Sequence, residues 1–231
     1  MSDLFRGPAL ADGPAYWFDP ACRRFVLIAN DERISPAVAE RLELTPADVL
    51  VQFNKAMLFG AFAPVPCHKM FVFQKNGRGF YWGLDSAGRP GFDVFNQASA
   101  SLTLVFTMRI IDLVQPFIGS APPDTTILCF KPGRLPLFAM PEGKVASVGF
   151  ITLSYLHHLN CVRELNGLNP ARIVTLGFTG SYSRVKAFQG HDFGFEQAVI
   201  ATWPDVLRLD FEGRPFPPGD WGPLKTSRRK A

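Results

Sequence analysis

The chain has 231 residues, 47% of them hydrophobic and 19% charged, with a formal charge of +4. That balance excludes a disordered polymer and leaves enough chain for one sizeable core. No uncharged apolar run reaches about 18 residues, and the start lacks the basic-then-apolar pattern of a signal peptide, so the expectation is a cytoplasmic protein without a membrane span.

Residues 1–22, rich in Pro, Gly and Ala, read as an irregular arm. The run Phe25 to Ala29 is short and continuously apolar, as in a strand buried on both faces. "SPAVAERLEL" reads as a helix with Ser35 as cap and Pro36 at its first position. "DVLVQFN" and "KMFVFQ" are two more strands, and the turn-rich "KNGRGFYWGLDSAGRPG" follows. "TTILCF" is a further strand; "SLTLVFTMRII" before it fits a strand or a helix. Lys131 to Gly143 is heavily punctuated by Pro and Gly and reads as an irregular lid. "SVGFITLSYLHHLNCVREL" is the strongest helix, "ARIVTLGF" another buried strand, and "SYSRVKAFQ" a loop. A helix then starts near Asp192, with Phe195, Val199 and Trp203 spaced for one face, and "VLRLDF" is an edge strand.

Strands alternating with helices predict an α/β fold: a single Rossmann-like domain over 23–212 with a mostly parallel sheet, followed by a Pro/Gly-rich basic tail over 213–231. Ligands of such sheets sit at the carboxyl ends of the strands. Asn30 and Asn54 end the first two strands and offer amide donors and acceptors, although turn-forming asparagine explains them equally well. Ser147, Val148 and Gly149 open the long helix, where free N–H groups and the dipole suit an anion; plain N-capping by Ser147 is the rival reading. His191 stands just outside a helix that Asp192 is placed to cap, with Glu196 in or near the first turn as a capping or orienting group. The positive helix end favours the neutral imidazole that can accept a proton.

His157 and Cys161, four apart, lack a third metal ligand, and His158 and His68 read as structural. The four cysteines (Cys22, Cys67, Cys129 and Cys161) are scattered and read as small buried hydrophobes. There is no GxGxxG and no P-loop, which argues against the usual dinucleotide and nucleoside-triphosphate sites. The tail "KTSRRKA" suits a solvated end or a peripheral contact with an anionic membrane surface; charge alone does not make a nucleic-acid partner the expectation.

The order "VLIAN", "VLVQFN", "ASVGFITLSYL", "IVTLGF", "GHDFGFEQAVIAT" resembles the sialyltransferases over roughly residues 24 to 202. The first two pieces look like their cytidine-holding motif and the third like the helix start near the donor. The last looks like the short histidine-and-glutamate motif whose histidine is the catalytic base. In plan the chain is similar to a compact bacterial member, and related bacterial enzymes use CMP-Kdo.

The resemblance implies an inverting, metal-independent glycosyltransferase that moves a 2-keto sugar acid, sialic acid or Kdo, from a CMP-activated donor to a glycan hydroxyl, with no cofactor. It implies His191 as general base, Tyr182 as a group assisting phosphate departure, and Asn30, Asn54, Ser147, Val148 and Gly149 around the donor. The helix start would stabilise the leaving phosphate or hold the sugar carboxylate. The alternative is a catalytically inactive nucleotide- or sugar-binding protein of the same fold. "ANDER" stands where the family's first motif carries glycine beside its asparagine.

Overall fold

The computed structural model describes residues 13–53, 64–74, 101–107, 125–130, 139–179 and 190–216. Seven strands form one sheet: β1 (Arg24–Ile28), β2 (Asp48–Phe53), β3 (His68–Gln74), β4 (Leu102–Thr107), β5 (Thr125–Phe130), β6 (Arg172–Leu176) and β7 (Val206–Leu209). Every neighbouring pair is parallel, in the order β5-β4-β3-β2-β1-β6-β7. The architecture is therefore the expected α/β fold, a Rossmann-like parallel sheet. "SLTLVFTMRII" resolves as a strand: β4 pairs with β3 on one side and β5 on the other.

Side chains of β1 alternate between two cores. Phe25 and Leu27 join Val49, Val51, Phe53, Met70 and Val72 under one layer, with Phe150, Leu153, Leu156 and Leu159 above them. Val26 and Ile28 face the other side, with Leu50, Val174, Leu176, Ile34 and Val38. Because both faces are covered, the strand reads as a continuous apolar run and not as an alternation. The first layer contains α2 (Val148–Leu165) and α3 (Phe193–Ile200); the second contains the short helix α1 (Pro36–Glu40).

The arm expected to be irregular contributes structure. Ala15–Phe18 form a 3-10 turn, and Trp17 is fully buried in the first core. Buried Arg163 of α2 donates to the carbonyls of Trp17, Asp19 and Cys22, tying the arm down. At the other end, Pro215 bridges to Leu209 and Phe216 N–H donates to the Arg208 carbonyl, so the start of the tail lies along the β7 edge. Asn54, Tyr182, residues 131–138 of the lid, the 181–189 loop and the tail beyond 216 lie outside the described residues. Among the described residues, no helix is long and apolar enough to cross a membrane.

The sheet order reverses between β1 and β6: strands β2 to β5 build outward on one side, and the chain returns through α2 to place β6 on the other. The carboxyl ends of β1 and β6 are thus the topological switch point, the place where open α/β sheets bind ligands. Gly177 turns the chain there with φ of 79°, and a Cβ on it would sit 2.5 Å from Ile34 Cδ1, so both the backbone angle and the space select glycine.

Candidate functional site

Asn30 and Gly149, two of the predicted site residues, lie near these strand ends. Asn30 follows β1, and its Nδ2 donates to the Phe53 carbonyl at 2.6 Å, tying the ends of β1 and β2 together. Phe178, just past β6, meets Phe53 edge-on with ring centroids 5.8 Å apart. Gly149 lies beneath Phe178: a Cβ there would approach Phe178 Cε1 to 2.5 Å. The glycine expected to admit an anion therefore admits an aromatic ring. Phe178 was missed because only its position after a strand could have marked it.

Ser147 is the N-cap of α2, its Oγ accepting from Phe150 N–H at 3.1 Å. Ser147 also has a partner that lies 49 residues away. Its N–H donates to Glu196 Oε1 at 2.6 Å and its hydroxyl to Glu196 Oε2 at 2.7 Å. Glu196 is buried, and burial pushes its carboxyl pKa upward, while the two Ser147 bonds and the nearby His191 pull it back down. The helix start expected to meet an external anion thus already meets an internal carboxylate. Among the described residues, no acceptor bonds the backbone N–H groups of Val148 and Gly149, two of the first-turn donors that have no partner inside the helix.

Asp192 caps α3, accepting from Phe195 N–H at 3.0 Å. It does not hold the His191 ring. His191 Nδ1 lies 2.7 Å from the Val145 carbonyl, and Val145 N–H donates to the Gly190 carbonyl at 2.8 Å. A carbonyl only accepts, so Nδ1 carries the hydrogen and the lone pair of the neutral ring is on Nε2. The half-buried ring also meets Phe193 edge-on at 5.4 Å. No feature of the Val145 side chain could have signalled this contact, because a backbone carbonyl makes it.

Two other histidines, His157 and His68, are held elsewhere. His157 Nδ1 contacts Asp205 Oδ1 at 2.9 Å, and its ring stacks on Trp203 at 4.7 Å. His68 bonds Ser101 and stacks on Tyr16. Cys22 and Cys67 are buried with thiols pushed up to about 11 by desolvation, whereas Cys161, expected to be buried, is exposed. Among the described residues, no group of three or more His, Cys, Asp or Glu side chains gathers as metal ligands do.

The fold and these contacts define a class, an α/β domain with a half-buried histidine and a helix start near its switch point. No protein-family profile, curated protein or solved structure matches the chain.

Proposed function

We propose that this chain is an inverting glycosyltransferase that moves a 2-keto sugar acid from a CMP-activated donor to an acceptor hydroxyl. The observation that carries the reading is the bond from His191 Nδ1–H to the Val145 carbonyl, which leaves Nε2 as the basic nitrogen of the neutral ring. In the reaction, the acceptor oxygen attacks the anomeric carbon, the bond to the CMP phosphate oxygen breaks, and Nε2 takes the hydroxyl proton. An alcohol is a poor nucleophile until that proton is removed. Charge develops on the departing phosphate, and the amide of Val148 at the start of α2 is a donor suited to it, with Gly149 beside it under the Phe178 ring.

A second reading, a nucleotide- or sugar-binding protein without turnover, draws support from Ser147, whose two donors are engaged by Glu196. A thermal-shift screen separates the donors: CMP, CMP-sialic acid and CMP-Kdo are expected to raise the melting temperature, and UDP- and GDP-sugars are not. A shift with UDP-sugars alone overturns the donor assignment. Transfer from the stabilising donor, persisting in excess EDTA, is the expected activity; binding without transfer or donor hydrolysis selects the second reading.

A further inference from the structure

The geometry points to Glu196 as a positioning residue that keeps His191 in the Nδ1–H tautomer through Ser147 and the Val145 carbonyl. This rests on the proposed reading of His191 as base and deepens it. Four hydrogen bonds join residues 145–147 to residues 190–196: Val145 N–H to the Gly190 carbonyl, His191 Nδ1–H to the Val145 carbonyl, and the two from Ser147 to Glu196.

Glu196 lies in the first turn of α3, yet its carboxylate turns away to the entry of α2. Its side chain is only 2% exposed. A carboxylate is costly to bury, and two short donors from one residue compensate it. That two-point grip fixes the Ala146–Ser147 peptide and the Ser147 hydroxyl together. The next peptide unit toward the N-terminus presents the carbonyl that His191 contacts.

The consequence is chemical as well as mechanical. In free neutral histidine the Nε2–H form predominates. If the Val145 carbonyl moves away, the bond that favours Nδ1–H is lost, and any ring in the Nε2–H form is a donor there and cannot take a proton. A displacement too small to unfold the protein thereby depletes the tautomer that can act as base.

The test is a long-range 15N–1H correlation spectrum of the full chain at a pH where the ring is neutral. The chain has four histidines, and the His191 signal is the one lost in His191→Ala. The wild type is expected to show Nδ1–H. Folded Glu196→Ala is expected to shift His191 toward Nε2–H, and Glu196→Gln, which keeps an acceptor for Ser147 N–H, to recover part of the difference. Turnover should follow, falling by roughly tenfold or more in Glu196→Ala, since a base held in the wrong tautomer cannot take the proton.

If Glu196→Ala does not fold, Ser147→Ala removes one arm of the grip and reads the same signal. An unchanged Nδ1–H signal in whichever variant folds overturns the inference, as does Nε2–H in the wild type. The two ideas fail separately. A tautomer that responds to Glu196 while His191→Ala still transfers sugar removes the base and leaves the positioning. Transfer lost in His191→Ala with an unresponsive tautomer removes Glu196 alone.

Discussion

His191 and His157 make similar bonds to unlike partners at different places in the same fold. His191 donates Nδ1–H to the Val145 carbonyl near the carboxyl ends of the strands. His157 donates to the Asp205 carboxylate just before β7, where Asn160 Nδ2 also donates at 2.9 Å, and its ring is stacked on Trp203. The carboxylate gives His157 a charged acceptor and makes a clasp between α2 and the residue before β7. The carbonyl gives His191 direction without a charge. The two rings also differ in place: one lies near the switch point, the other midway along a helix against a packed tryptophan.

The largest expected effect tests that distinction directly. His191→Ala should cut transfer by roughly two to four powers of ten, the range for losing a general base, with donor affinity little changed. His157→Ala should leave turnover per folded molecule near the wild-type value. If folded His157→Ala loses transfer and His191→Ala keeps it, the roles of the two histidines are reversed. Next in size is Asp205→Ala, which leaves the His157 and Asn160 donors without their acceptor and should cost roughly 1–3 kcal/mol. Urea denaturation measures this, with turnover unaffected. On the rim, Gly149→Ala should cost about 1–3 kcal/mol as Phe178 is displaced, and it should also reduce the thermal shift given by the donor, which Asp205→Ala should not.

The smallest effect is in the pH dependence, where the two regions differ in sign. The hydrogen bonds from His157 and Asn160 hold the Asp205 carboxyl below its usual range against the effect of burial. A depressed carboxyl gives stability that is present above its unfolded pKa, about 3.9, and lost as pH falls through the folded value. Burial raises the Glu196 carboxyl, so its contribution is fully present below its unfolded pKa, about 4.3, and is lost as pH rises through the folded value. Melting temperatures measured from pH 3 to 7 should therefore fall less steeply with acid in Asp205→Asn than in wild type, and more steeply in Glu196→Gln. Equal slopes in the two variants would remove the contrast.

How much of this was legible depended on how far apart the interacting residues are. The Phe25 to Ile28 run announced a strand covered on both faces, and the spacing of α2 announced a helix, because burial writes itself into a local pattern. The Phe195, Val199 and Trp203 stripe was less faithful. Trp203 lies beyond the end of α3, and the residues most buried along the helix are Glu196, Gln197 and Ile200. Two of these are polar, and each is satisfied by a partner elsewhere: Glu196 by Ser147 and Gln197 by Arg208. No periodicity predicts that. Trp17 was likewise hidden in a Pro- and Gly-rich arm, because its burial needs Arg163 to bond the carbonyls of the arm, 146 residues along the chain.

By itself, then, the sequence determined the alternation of strands and helices, the cap at Asp192, the cap at Ser147, and the position of His191 just ahead of a helix. These rest on bonds and packing within a few residues. Only the tertiary structure decided that Glu196 grips Ser147, that Gly149 makes room for Phe178, and that the Val145 carbonyl sets which His191 nitrogen holds the hydrogen. Those contacts join residues 29 to 49 positions apart. They form only where the parallel sheet brings the start of one helix beside the start of another, and a backbone carbonyl leaves no mark in the side chain that carries it.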